Sequence, residues 1–431
     1  ADQPLVGGFW TNAAPWRVQA RFSSSDLHVT PRHSAERVSL LIDWQKGALH
    51  LNRLEAHLPA GAVSGSAWVD AVKGDVGLEL SGAVEPLRLE PVLPAPTWQQ
   101  LTNAGIHSGS QMQFELHALG RLPPATTPPD QLLRHLLPTV SARGVIESTN
   151  FGVADLSLQH LRVPVEFTPG FLRIPGLQIT VPPGELTADL EAALDSGRWH
   201  VRLDNSLNPL AFVSLVRSLE VMAQLNLVGL TEGPRISGEV WGNWNDPNQT
   251  GAALRVAMTN ATYRNEPITE LRTAVTYTNR LLTFAGVELF QGTNQARVPV
   301  LQYDLPAQLL RITNGFSTLD PASVVRAVGP KTAQILAPYQ FLGTPTVRIN
   351  GTIPVMDDVE GSVTFQASVP GLQWWYFEFN SLLATVSWTG NHVSVTNVAG
   401  GFYGGLVSAN VEVNVADRDD AVFQFNASYT D

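Results

Sequence analysis

The chain has no cysteine, which excludes disulfides and thiolate chemistry and leaves an oxidising compartment permitted but not required. Charge is scarce. Asp, Glu, Lys and Arg make up 15% of 431 residues, where about a quarter is usual. The balance is acidic, −11, so the basic stripe that a nucleic-acid partner needs is missing. No apolar run is long enough to span a bilayer as a helix. No signal peptide is legible in "ADQPLVGG", which fits a mature N-terminus or an artificial boundary. Catalytic signatures are also missing: there is no G-x-S-x-G, H-E-x-x-H or phosphate-loop pattern. "GPKT" at 329–332 sets Pro330 where a phosphate loop needs glycine. His50 and His57 have no carboxylate cluster beside them, and "MDDVE" and "ADRDD" read as solvated turns rather than calcium loops. Nothing points to an enzyme, a metal or a cofactor.

What is plentiful is turn residues, 35 Gly and 30 Pro, set among residues that are 44% hydrophobic. That mixture suits many short strands. A chain so poor in charge is expected to own apolar surface that a lipid, a partner or a membrane covers.

The stretch "VTNVAGGFYGG" shows how the strands are organised. Val393 and Val395 alternate with polar residues, then the next apolar residue, Val398, falls one position late. The same slip occurs three more times. Anchors at Leu49, Leu172, Leu282 and Val393 recur at intervals of roughly 110–125 residues; such an interval makes each repeat a unit of several strands. Two positions later stand Leu51, Ile174, Phe284 and Val395; five positions later, Leu54, Leu177, Val287 and Val398. Five positions earlier stands an aromatic each time: Trp44, Phe167, Tyr277 and Trp388. Before each aromatic runs alternation, as in Val38/Leu40/Ile42, Leu161/Val163/Val165, Leu271/Thr273/Val275 and Leu382/Ala384/Val386.

This pattern predicts a hairpin in each copy. Lys46-Gly47, Pro169-Gly170, Asn279-Arg280 and Gly390-Asn391 form its tight turn. Trp44 then faces Leu49, and Ile42 faces Leu51, on one side of the sheet. The slip is a β-bulge at Asn52-Arg53, Pro175-Gly176, Ala285-Gly286 and Thr396-Asn397, which keeps the apolar face continuous while bending it. The next turn is expected at Pro59-Ala60-Gly61, Pro182-Pro183-Gly184 and Gly404-Gly405.

Each copy should hold about six strands, giving some 24 in all. In the third they are expected near 235–244, 252–260, 268–278, 281–290, 294–303 and 308–316. A short crossing helix follows. Asp320 is its N-cap and Pro321 its first residue, and Asn208-Pro209 repeats that arrangement. The boundaries predicted are 1–107, 108–230, 231–343 and 344–431. "PPATTPPDQLLRHLLP" at 123–138 reads as an insertion, and "NASYTD" as a point where a further crossing helix is due, so the chain is expected to be a piece of a longer protein.

The repeated hairpin, the "GGFYGGLVSANVEV" run and the "LDPASVVRAVG" exit resemble the AsmA-like/TamB-like envelope proteins of the repeating β-groove class. The resemblance implies an all-β fold: an elongated, curved antiparallel sheet, a β-groove of four repeats with short crossing helices. It also implies non-enzymatic binding and transfer of phospholipid or another acyl-chain lipid between membranes, in the periplasm or cell envelope. Tethering would come from a segment outside this chain, and the partners would be flanking repeats or membrane-anchored envelope proteins. The candidate lining is Ile42, Trp44, Leu49, Leu51, Val163, Val165, Phe167, Leu172, Ile174, Val275, Tyr277, Leu282, Phe284, Val386, Trp388, Val393 and Val395. Trp374, Trp375, Tyr376 and Phe377, in "LQWWYFEF", are a candidate rim contact for headgroups or a partner, or else an aromatic cluster packed on a neighbouring hairpin. A structural or adhesive scaffold and a transmembrane β-barrel are the alternatives. The crossing helices count against the barrel.

Overall fold

The structure is a computed structural model and describes residues 15–30, 33–90, 98–99, 102–103, 105–106, 110–122, 136–153, 156–211, 222, 225–328, 337–354, 361–374, 376–414 and 422–431. The chain divides into two compact units, one holding residues up to Leu207 together with 243–245, the other the remainder.

The first unit is an antiparallel sheet of β1 (Arg17–Thr30), β2 (His33–Gln45), β3 (Ala48–Leu58), β4 (Gly61–Asp70), β5 (Asp75–Val84), β6 (Met112–Arg121), β7 (Ser141–Val153), β8 (Leu156–Thr168), β9 (Phe171–Val181), β10 (Gly184–Ala193) and β11 (Arg198–Asn205). Each strand pairs with the next in the chain.

The second unit contains β12 (Val228–Leu230), β13 (Arg235–Asn243), β14 (Gly251–Tyr263), β15 (Glu266–Thr278), β16 (Leu281–Gln291), β17 (Asn294–Asp304), β18 (Leu309–Ser317), β19 (Tyr339–Phe341), β20 (Thr346–Pro354), β21 (Ser362–Val369), β22 (Leu372–Trp374), β23 (Phe377–Thr389), β24 (His392–Phe402), β25 (Gly405–Asn414) and β26 (Val422–Thr430). The long strands pair in order from β13 to β26, with β18 beside β20 and β21 beside β23. The end strands of each ladder do not pair with each other, so each unit is open rather than a closed barrel. The described residues hold 26 strands against the 24 or so expected: 23 long ones and the three-residue strands β12, β19 and β22, which extend the hairpin ends.

The predicted hairpins are present. Trp44 faces Leu49, Phe167 faces Leu172, Tyr277 faces Leu282 and Trp388 faces Val393. Directly opposed residues share a face, so the four aromatics lie on the same side as their anchors. The second hairpin is looser than expected: its ladder is interrupted between Arg162 and Glu166, so Val165 and Ile174 are not a registered pair.

A register shift falls at each predicted bulge. The second bulge residue is left-handed in every copy: Arg53 (φ 52), Gly176 (φ 63), Gly286 (φ 60) and Asn397 (φ 54). In two copies the strand opposite supplies an acceptor for its N–H. Gly176 N donates to Asp189 Oδ1 at 2.8 Å, and Asn397 N to Asn410 Oδ1 at 3.2 Å. A further bulge of this kind, not foreseen, sits in β18: Asn314 has φ 52 and its N–H donates to Asn350 Oδ1 at 2.6 Å.

The following turn excludes its last expected glycine in each copy: Pro59-Ala60 and Pro182-Pro183 form it, and Gly61 and Gly184 begin the next strand. In the fourth copy it is Tyr403-Gly404, and Gly405 begins β25 opposite Phe402. The reason is crowding. A Cβ on Gly405 would stand 2.5 Å from the Tyr429 ring, one on Gly61 2.0 Å from the Ala83 carbonyl oxygen in β5, and one on Gly184 2.3 Å from the Ser206 carbonyl oxygen just after β11. Glycine serves close approach there rather than the turn.

Helix α1 (Pro321–Val328) forms where predicted. The Asp320 carboxylate caps it, accepting from Ala322 N at 3.3 Å and Ser323 N at 3.1 Å. Asn208 accepts from Leu210 N at 3.0 Å in the equivalent place, but the helix expected after it lies largely outside the described residues. So do "GPKT", "MDDVE", "ADRDD" and most of the insertion at 123–138. The expected boundaries at 107 and 343 are crossed by continuous ladders, β5 with β6 and β18 with β20.

Gly286 tests the bulge. Nothing lies within 4 Å of the place its Cβ would take, so only backbone strain opposes substitution. Gly286→Val should lower the stability of the intact chain by about 1–2 kcal/mol, and Gly286→Asn by under about 0.5 kcal/mol, since asparagine tolerates this conformation. Denaturant midpoints measure both. Equal losses would show that the left-handed conformation is not required.

Candidate functional site

Hydrogen-bond register shows what each face of the sheet carries. In the first unit, one row of opposed residues crosses all eleven strands: Ala20, Ile42, Leu51, Ala67, Leu78, Ala118, Ala142, Phe167, Leu172, Ala192 and Trp199. No polar residue interrupts it. In the second unit, the corresponding row crosses the twelve long strands: Gly238, Leu254, Val275, Phe284, Leu301, Ile312, Gly351, Val363, Trp388, Val393, Val413 and Phe423.

The other face is charged. One register step away in the first unit lie Glu79, His117, Arg143, Glu166, Arg173, Glu191 and His200, again as opposed neighbours. Acids and bases largely alternate along it. Arg173 bridges Glu191 at 3.3 Å and Glu166 at 3.8 Å, and Arg162 donates to Glu147 at 2.7 Å. His50 and His57 are exposed in β3 on this same face.

The candidate lining falls on the apolar side. Trp44 and Leu49 form the row beside Ile42 and Leu51; Tyr277 and Leu282 form the row beside Val275 and Phe284. Val163 and Val165 oppose Ile146 and Gly144, Ile174 opposes Leu190, and Val386 and Val395 oppose each other. Most of these side chains are half-buried. Trp44 is the buried exception at 7% exposure and Trp388 the exposed one at 45%. A second layer packed on this face would bury them further. Comparison with family models, curated proteins and solved structures finds no match to this chain.

The aromatic stretch is both cluster and exposed rim. Trp374 stacks on Tyr339 with ring centroids 6.0 Å apart, and contacts Phe377, which continues to Phe402. Phe379 and Tyr403 flank Phe402, and the Tyr403 hydroxyl donates to the Tyr376 carbonyl at 2.8 Å. Tyr376 is nonetheless 92% exposed, and Trp374 and Phe377 are partly so. Trp375 lies outside the described residues. Among the described residues no helix is long and apolar enough to cross a membrane.

One feature of the second unit is not encoded in the repeat pattern. Helix α1 roofs an apolar pocket of about 560 Å³ beside the β14–β15 hairpin end. Met258 and Ala261 both line it although they stand three apart in one strand. Asn260, left-handed at φ 51, breaks the alternation between them. Asn150 does the same in β7 (φ 56), ahead of buried Phe151. The helix is held by Arg326, whose guanidinium donates to both carboxylate oxygens of Glu266, at 2.5 and 3.2 Å.

That guanidinium holds the Glu266 carboxyl below the usual glutamate range. A lowered pKa in the folded chain gives a stabilisation that is complete above the ordinary range and disappears as pH falls through the lowered value. Arg326→Ala should therefore lower the thermal midpoint at pH 7 by more than it does at an acid pH below the lowered Glu266 value, where wild type has lost the pairing too. An equal gap at both pH values would show that Arg326 acts through packing alone.

Proposed function

We propose that this chain is a non-enzymatic lipid-binding and lipid-transfer module of the repeating β-groove kind, acting on phospholipid or another acyl-chain lipid in a cell envelope. The observation that carries the proposal is the uninterrupted apolar row in each unit, most of whose candidate lining side chains are only half-buried among the described residues. An acyl chain gains ~0.8 kcal/mol for each CH₂ it buries, and such a row supplies burial without polar readout. Eleven strands spaced ~4.8 Å apart make a face about 50 Å across. One chain of a bilayer leaflet reaches only about 15 Å. The face is thus suited to passage along it rather than to a fitted single-ligand pocket.

The charged face fits the same reading, because it supplies the water-facing side of a groove. The aromatic rim at Trp374, Tyr376 and Phe377 suits contact with headgroups, where amphipathic rings are favoured. Flanking repeats and membrane-anchored proteins of the envelope are the partners such a module would need. A sandwich scaffold fits less well, since its inward residues would be buried rather than half-exposed.

Continuity is what transfer requires, and an unpaired charge in mid-row would break it. Ile174→Asp in the first unit and Val386→Asp in the second should each slow lipid transfer between donor and acceptor vesicles by at least about tenfold, with circular dichroism unchanged. Undiminished transfer by both folded variants would remove the proposal. Unfolding of both would favour a closed core in place of an open groove.

A further inference from the structure

We infer that the pocket beneath α1 is a lipid subsite that takes the terminal segment of an acyl chain lying on the apolar face. This rests on the lipid-groove reading and adds a discrete site to it. The pocket's floor comes from the ends of the apolar rows. Met258, Leu271 and Leu289 are consecutive opposed partners on β14, β15 and β16, two rows beyond Val275 and Phe284. A chain on that face reaches the pocket across the single intervening row of Val256 and Thr273, where the Thr273 hydroxyl is already hydrogen-bonded to the Ala274 and Ala285 carbonyls. The roof comes from the helix, where Val324 and Ala327 turn toward the floor.

Size and chemistry both select the occupant. About 560 Å³ lies within the range of small-molecule sites, about 300–1,000 Å³. Water has little to bind there, because the lining is mostly apolar and the charged groups at its edge are already engaged. Glu266 is paired with Arg326, and the Ser323 hydroxyl donates to Asp320 Oδ2 at 3.0 Å while accepting from Arg326 Nη2 at 3.1 Å. No charge is left over for a headgroup, so a hydrocarbon end enters and the polar end stays outside. Met258 adds a flexible side chain that adapts to a chain of variable conformation.

The test uses the full chain and a phosphatidylcholine bearing a diazirine at its acyl terminus. After irradiation, adducts are mapped by mass spectrometry in wild type and in Ala327→Trp, which fills the roof. The expected result is adducts at Met258, Leu271, Leu289 or α1 together with adducts at Val386–Val395, and at least a tenfold loss of the first set alone in the variant. Adducts near Val386–Val395 only would overturn the subsite and leave the groove reading standing. Adducts in the pocket only would overturn the groove, and with it the subsite as the end of a chain lying on that face. Absence of both overturns both. Should Ala327→Trp fail to fold, the wild-type adduct map decides by itself.

Discussion

Everything in this protein depends on strand register over an open sheet. Side chains alternate with a period of two, so a slip of one residue would carry every apolar group of a strand to the charged side. The turns prevent that slip. Lys46-Gly47, Asn279-Arg280 and Gly390-Asn391 are two-residue connections that leave one way to pair the flanking strands. The bulges then bend the ladder without reversing it, since the extra residue is left out of the pairing on both of its sides. Between β3 and β4, for example, Leu51 and Leu54 are paired and the two residues between them are not. Bending and facial segregation, which compete in an ordinary strand, are thereby reconciled.

The low charge content follows from the same arrangement. Charge is largely confined to one face, so only about half of the strand positions are open to it. Those positions are then arranged so that neighbours largely oppose in sign, as from Glu166 through Arg173 to Glu191. Each exposed pair is worth little. Their collective effect is to avoid like-charge neighbours across strands, which would oppose pairing. Among the described strands, Glu36 near the start of β2 is an acid that shares the parity of the apolar row, and it is exposed.

The hairpins were legible in the sequence because each carries large side chains at fixed offsets. Trp44, Leu49, Leu51 and Leu54 mark register, turn and bulge together, and the other copies repeat the offsets without a gap. The rest was hidden for specific reasons. The bulge at Asn314 left no trace, because Gly315 occupies the apolar position after it and has no side chain to reveal the slip. The rows crossing Ala67, Ala118, Ala142 and Ala192 are carried by small residues whose preference for either face is weak. Asn150 and Asn260 look like ordinary turn residues until their left-handed geometry is seen. The pocket under α1 depends on a helix packing against a hairpin some sixty residues earlier in the chain, at Glu266, and no local pattern encodes that contact.

The composition of the apolar rows has a kinetic meaning. Along the first, alanines recur among the larger Ile, Leu and Phe, and up to Trp199 at its end no step changes the surface from carbon to a hydrogen-bonding group. A hydrocarbon displaced by one strand gives up contacts on one side as it makes similar ones on the other. The energy surface beneath it is therefore shallowly corrugated. A molecule on such a surface is retained by the sum of its contacts yet meets little friction as it slides, so residence and mobility are set by different properties of the same row.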